Sequence, residues 1–371
     1  MDRKPYSRIV VKLGTSTLTS GTSRISPPRV LDLVRQMAEL HQAECELVLV
    51  SSGAMAAGRE RLEFPELPKD IPAKQMLAAV GQPRLMALYE KLFELYGIFV
   101  AQVLITRADL NNRRRYLNSR NTLEALLSQR VIPVVNENDT VTSEEIRVGD
   151  NDNLSALVAN LIEADLLVLL TDQPGFYRAD PRRDPSAEFV QEITGGIIPD
   201  EIWQAAGDKA GRLGTGGMFT KLQAADLARR SGAAVVIAAG GEKDIITQLA
   251  AGEALGTRFT PISTALEGRK RYILTASDAP GTVDVDPGAA RALNKGGSLL
   301  PVGISAVRGD FERGDTVRVC DDAGAEIARG LVNYRAEDLK RIRGRQSAEI
   351  EAILGFFYGD EVIHRNNMVL L

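Results

Sequence analysis

The sequence predicts an α/β sandwich with a mainly parallel sheet, followed by a compact, mostly-β second domain. Three observations carry this. From residue 1 to about 262, short β-branched runs alternate with longer helical patterns. Runs such as Leu47-Val48-Leu49-Val50 are apolar on both faces, as central parallel strands are when helices cover a sheet on both sides. Beyond Leu266 the chain turns polar, then becomes rich in Gly, Asp and short alternating segments. Its 371 residues leave room for two domains at a soft prior of about 150 residues each.

Taken in order, Ile9-Val10-Val11 reads as the first strand. Ser26 with Pro27 behind it reads as a helix start, and Val30, Val34 and Met37, with Leu31, Ala38 and Leu40 beside them, form an apolar stripe at helical spacing. Leu47 to Val50 follows as a strand, then Phe99 to Leu104, Val131 to Val135, Leu166 to Leu170 and Val235 to Ile237, each separated from the next by helical sequence. A polar stretch at Glu267-Gly268-Arg269-Lys270-Arg271 marks a linker, placed at residues 263–278 between domains 1–262 and 279–371. In the second domain Val283-Asp284-Val285, Gly303 to Val307 and Thr316 to Val319 read as small, half-buried strands.

Composition narrows the function. Hydrophobic residues at 44% and charged residues at 25% describe a globular chain with a sizeable core, which excludes disorder. The longest apolar runs, such as Ala233 to Ala239, fall far short of a membrane span, and no basic segment leads into a long apolar one. Cys45 and Cys320 are too few for a disulfide framework or a zinc cluster, and His41 and His364 too few for a polyhistidine site. The net charge of −4 argues against bulk binding of nucleic acid or membrane, and the expected compartment is the cytoplasm.

Ligands in open α/β sheets sit beyond the carboxyl ends of the strands, so the turns there hold the candidate chemistry. Lys12-Leu13-Gly14-Thr15-Ser16 follows the first strand; Gly14 would let backbone amides approach a phosphate and Lys12 would add charge, although a lone K-x-G reads as an ordinary turn. Ser51-Ser52-Gly53-Ala54 opens a helix with small residues, suited to an anion or to simple capping. Asn136-Glu137-Asn138-Asp139 and Gly149-Asp150-Asn151-Asp152-Asn153 concentrate short acids and amides. Such a pair of clusters can grip a polar amino acid, hold Mg²⁺ through water, or orient lysines, and Asp152 also stands where it could cap the following helix. Thr171-Asp172-Gln173-Pro174-Gly175 and Ala179-Asp180-Pro181 look like loops near a base and ribose. Gly214-Thr215-Gly216-Gly217-Met218-Phe219-Thr220-Lys221 is a Gly-rich loop running into a helix, suited to phosphate oxygens but neither a Walker A loop nor G-x-G-x-x-G.

Together these segments resemble the amino acid kinase family, most closely its bacterial glutamate-phosphorylating branch, over essentially the whole chain. Gly296-Gly297-Ser298-Leu299-Leu300-Pro301-Val302-Gly303-Ile304 resembles the start of a PUA domain. The resemblance implies a three-layer sandwich with a mainly parallel central sheet plus a small PUA domain. It implies that ATP, with Mg²⁺, phosphorylates the side-chain carboxylate of L-glutamate to L-glutamyl 5-phosphate, the opening step of proline synthesis. Lys12, Lys221 and Asp152 would be catalytic, Asp152 holding both lysines. Ser52, Gly53, Asn136, Asp139, Asp150 and Asn151 would serve glutamate. Lys12, Gly14, Thr171, Asp172, Thr215, Gly216, Gly217, Met218, Phe219, Thr220 and Lys221 would serve ATP. It also implies feedback inhibition by proline, with the segment from Glu66 to Gln82 as a loop there, a homo-oligomer (dimer or tetramer), and passage of product to glutamyl phosphate reductase. Sibling kinases for carbamate, N-acetylglutamate, aspartate or UMP are disfavoured by the Asp-Asn-Asp-Asn loop and the PUA-like tail. RNA is an unexpected partner, because residues 275–371 hold 12 Lys/Arg against 15 Asp/Glu.

Overall fold

The computed structural model describes residues 6–68, 70–142, 150–179, 181, 184–207, 217–262 and 279–371. The expected linker 263–278 lies outside them. The chain divides into two compact units, Met1–Leu110 with Ser119–Ala265, and Asn111–Asn118 with Leu266–Leu371. No helix among the described residues is long and apolar enough to cross a membrane.

Elements run β1 (Arg8–Leu13), α1 (Thr15–Thr19), α2 (Pro27–Gln42), β2 (Glu46–Ser51), α3 (Ala54–Arg61), α4 (Ile71–Glu94), β3 (Val100–Ile105), α5 (Arg107–Asn111), α6 (Arg113–Ser128), β4 (Ile132–Glu137), α7 (Asp150–Leu161) and β5 (Leu166–Thr171). Then come β6 (Phe176–Tyr177), β7 (Phe189–Val190), β8 (Glu192–Ile193), α8 (Asp200–Ala205), α9 (Met218–Arg230), β9 (Ala234–Ala239), α10 (Ile245–Ala250) and β10 (Thr257–Phe259). Eight strands form one sheet in the order β3-β4-β2-β1-β5-β9-β10-β8, every pair parallel except β9 with β10. The sheet is mainly parallel, as expected; β6, β7, β8 and β10 are two- or three-residue strands that carry no readable sequence pattern.

Alternation along β1 sorts its side chains between two layers. Ile9, Val11 and Leu13 join a core with α2, α4 and α10. Lys12 faces the opposite layer, where α7 packs on β1, β5 and α9. Ser26 does occupy the N-cap of α2, but its side chain makes no capping hydrogen bond; Pro27 at the first position sets the helix start. α3 and α4 cross at glycines: a Cβ on Gly81 would lie 1.7 Å from the Ala54 carbonyl oxygen, and one on Gly58 would lie 2.0 Å from that of Leu77.

The segment from Glu66 to Gln82 is not a loop beyond Asp70. Asp70 caps α4, accepting from the Ala73 N–H at 2.9 Å, and Pro72 stands in its first turn, so the chain is helical from Ile71.

In the C-terminal unit β11 (Gly281–Val285), β12 (Ile304–Gly309), β13 (Thr316–Cys320), β14 (Glu326–Leu331) and β15 (Met368–Leu370) form a second sheet in the order β12-β11-β13-β14-β15. Helices α11 (Pro287–Asn294), α12 (Ala336–Ile342) and α13 (Ile350–Leu354) accompany it. Val283, Val285, Val317, Val319, Leu339 and Ile342 share its core. β14 and β15 were not legible in the sequence, because neither alternates cleanly; pairing with β13 makes β14 a strand, and β14 in turn pairs with β15.

Candidate active site

The parallel strands change character where they end together. Apolar residues fill β1, β2, β4 and β5, and then Lys12, Ser51, Asn136 with Glu137, and Thr171 occupy their last two positions. β1 pairs with β2 on one side and β5 on the other, so the chain leaves it first in one direction and later in the opposite one. Such a reversal opens a crevice at the carboxyl ends of the strands.

Three elements converge there on one carboxylate. Lys12 Nζ of β1 lies 2.5 Å from Asp152 Oδ1, and Lys221 Nζ of α9 lies 3.3 Å from Asp152 Oδ2. Asp152 is 0% exposed, Lys12 4% and Lys221 6%. The Thr220 hydroxyl reaches Asp152 Oδ2 at 2.7 Å and the Gly217 carbonyl at 2.9 Å; its single proton favours the charged acceptor. Asp152 is the third residue of α7, so it is not the helix cap that its position suggested: its side chain turns to the lysines. Burial works against the Asp152 charge, but the two ammonium groups and the hydrogen bonds from Lys12 and Thr220 outweigh it and hold the carboxyl below its usual range. Burial, reinforced by the charge of Lys12, lowers the Lys221 ammonium below the usual lysine range, against the pull of Asp152 and Asp172. Among the described residues two cations share one contacting carboxylate, with Asp172 acting at longer range, so the ammonium groups are only partly compensated in a desolvated crevice, an arrangement that suits a polyanion.

A neutral network adjoins this node. Asn151 Nδ2 donates to Asn136 Oδ1 at 2.9 Å and to Ser52 Oγ at 3.0 Å. Asn136 Nδ2 donates to Gln82 Oε1 at 2.8 Å, and Gln82 Nε2 to Gln102 Oε1 at 2.9 Å. Gly53, between Ser52 and α3, has φ of +104°, and a Cβ there would sit 2.9 Å from Leu18 Cδ1, so only glycine fits. Gln82, Gln102, Glu137, Asn138 and Asp139 line a cavity of about 250 Å³ whose apolar wall includes Ala54 and Leu104.

On the other side of the node, Gly14 leaves the flank of Lys12 open: an added Cβ would lie 3.5 Å from Nζ. The Thr171 hydroxyl donates to Asp172 at 3.0 Å at the end of β5. Gly217 holds the N-cap of α9 with no side-chain cap, and Met218, Phe219 and Thr220 form its first turn with Lys221. Phe219 meets Trp203 of α8 edge to face, centroids 5.6 Å apart.

Thus Lys12, Asp152, Lys221 and Thr220 come together, as do Ser52, Asn136 and Asn151, while Asp139 stands in the cavity wall. Thr215 and Gly216 lie outside the described residues, as does the side chain of Asp150. The sequence reading passed over Gln82 and Gln102. A signal existed for the first: Gln82 is a polar residue at 8% exposure on the face of α4 that buries Ala78 and Leu85.

Comparisons with known proteins agree with this layout. The amino acid kinase family profile matches residues 7–239 and the PUA domain profile residues 281–354. A glutamate 5-kinase of Photobacterium profundum is 53% identical over 368 residues, covering 99% of this chain and 97% of the relative. One from Herpetosiphon aurantiacus is 53% identical over 370 residues and all of both chains, and one from Deinococcus radiodurans 54% identical over 365 residues, 98% of this chain and all of the relative. Since the first profile runs through every strand and helix that feeds the node, and relatives share over half their residues along the full length, the chain belongs to the amino acid kinase family, within its glutamate 5-kinase branch.

Proposed function

We propose that this chain transfers the γ-phosphoryl group of ATP to the side-chain carboxylate of L-glutamate, giving L-glutamyl 5-phosphate and ADP. The observation that carries the reading is the single buried carboxylate of Asp152 gripping both Lys12 and Lys221. A carboxylate acceptor is already ionised at neutral pH, so no general base is needed. The barrier lies in bringing one anion against another and spreading charge over the transferring group, which positioning and fixed cations overcome.

In this reading a glutamate carboxylate oxygen attacks the γ-phosphorus in line while its bond to the β,γ-bridging oxygen breaks, and ADP leaves with that electron pair. Lys12 and Lys221 face the phosphoryl oxygens, and Asp152 holds both ammonium groups so that neither reorganises during transfer. Ser52, Gly53, Asn136, Asp139, Asp150 and Asn151 hold glutamate. Gly14, Thr171, Asp172 and the stretch from Thr215 to Lys221 hold ATP; the open flank at Gly14 and the uncapped start of α9 fit phosphate oxygens. Mg²⁺, when bound with ATP, neutralises charge on the β- and γ-phosphates.

The domains are assigned as kinase, 1–262, and PUA, 279–371. Family resemblance supports proline as an inhibitor at or overlapping the glutamate site, a homo-oligomer, a cytoplasmic setting, and delivery of the labile acyl phosphate to glutamyl phosphate reductase. The test is an acceptor panel with ATP and Mg²⁺, trapping acyl phosphate with hydroxylamine. Glutamate should be the preferred acceptor; preference for N-acetylglutamate, aspartate, carbamate or UMP overturns the reading.

A further inference from the structure

We infer that Gln82 and Gln102 are positioning residues for the acceptor, acting through a one-way chain of amide hydrogen bonds that locks Asn151; this rests on the glutamate reading above.

The direction of the chain is dictated by backbone groups that cannot reverse. The Glu137 N–H donates to Asn136 Oδ1 at 2.9 Å, so the oxygen of Asn136 must stay where it is. Its amide nitrogen then has to donate onward, and Gln82 Oε1 receives it at 2.8 Å. That turns Gln82 Nε2 toward Gln102 Oε1, 2.9 Å away. At the other end Asn151 Nδ2 faces Asn136 Oδ1 at 2.9 Å and the Ser51 carbonyl at 3.4 Å, both acceptors. A flip of Asn136 would set donor against donor, and a flip of Asn151 would set oxygen against oxygen. Each amide therefore has one orientation, and each depends on the next.

Gln82 occupies the middle of the chain and is buried, so losing either partner leaves a desolvated polar group unpaired. Gln102 ends the chain on β3, in the cavity wall beside Asp139. Among the described residues neither glutamine hydrogen-bonds to Lys12, Asp152 or Lys221. Their influence runs through Asn136 to Asn151 and Ser52, which places it on acceptor binding rather than on phosphoryl transfer.

The experiment compares the full-length parent with Gln82→Met, Gln102→Met and the double variant, methionine conserving length while removing both polar ends. Hydroxylamine-trapped turnover gives kcat and the KM of each substrate. Gln82→Met should raise the glutamate KM about tenfold, the worth of a broken buried hydrogen bond, and Gln102→Met, at the exposed end of the chain, about threefold, with kcat and the ATP KM within about twofold. The double variant should be no worse than Gln82→Met alone, because one break already uncouples the chain. An unchanged glutamate KM, a fully additive double variant, or kcat and both KM values degraded together overturns the inference. A parent that makes no glutamyl phosphate would instead overturn the glutamate reading, so the two failures are separable.

Discussion

Opposite ends of the same sheet carry ion-pair clusters, one half-exposed and one buried, that are balanced differently. At the amino ends of the strands, Arg8 bonds Glu46 at 2.5 Å and Glu124 at 2.9 Å and donates also to the Ile162 carbonyl, while Asp165 accepts the backbone N–H groups of Ser7 and Arg8. There carboxylates outnumber the one guanidinium but keep contact with solvent, and burial of Arg8 is outweighed by Glu46 and Glu124, which raise its proton affinity. At the carboxyl ends, two ammonium groups divide one carboxylate. The first arrangement spends its electrostatics within the chain. The second leaves two ammonium groups on one contacting carboxylate away from water, which in the proposed reaction serves the phosphoryl group, so sign and burial distinguish the two clusters.

The strongest way to break the comparison is Lys12→Ala or Lys221→Ala. Each should lower kcat by roughly a hundred- to a thousandfold, the effect of a preorganised charge contact on a developing anion, while the far-ultraviolet spectrum stays that of the parent. Unimpaired turnover would make these lysines as structural as Arg8. Asp152→Asn should follow closely, since a neutral amide leaves two buried ammonium groups facing each other; measured kcat should resemble a lysine variant's, and a mild effect would reduce Asp152 to a packing residue.

The pH profile sharpens the contrast further. In the proposed reaction Lys221 acts as its ammonium, and burial with Lys12 nearby lowers the pH at which it gives up its proton in the free enzyme. Hence kcat/KM should fall as pH rises, below the range of an ordinary lysine. Bound ATP adds negative charge that favours the ammonium, so the fall in kcat should lie at higher pH than that in kcat/KM. Lys221→Arg should push the limb beyond the accessible range. Coincident limbs unmoved by the arginine would assign them to another group.

Asp139→Ala should act in the proposed acceptor cavity, raising the glutamate KM by about tenfold with the ATP KM little changed, as expected for loss of a charge-assisted hydrogen bond. A loss confined to ATP would contradict its place. Smallest of all in catalysis is Arg8→Ala. It should leave kcat within about twofold and lower the melting temperature by only about one to three degrees, because Glu46 and Glu124 lose their shared partner but keep solvent.

Much of this was legible in the chain, and the illegible parts share a cause. β1, β2, β4, β5 and β9 announce themselves because strands buried on both faces need uninterrupted apolar runs. The lysines and the acid–amide clusters stood out by composition and by family resemblance. α4 was misread near its start because its Pro-rich approach looks like a loop until Asp70 is seen as the cap. Gln102 escaped because a lone glutamine carries no local signature, and the one mark of Gln82, a polar residue in line with Ala78 and Leu85, names no partner; their meaning lies in partners 20 and 54 residues apart along the chain.

From sequence alone came the elements and the chemistry on offer, since hydrophobic period and turn residues are local properties. That one aspartate serves two lysines was already implied by family resemblance; only the folded chain decided the distances between them and which way each amide points. Such choices are made by long-range packing and by backbone groups that must be satisfied once water is gone.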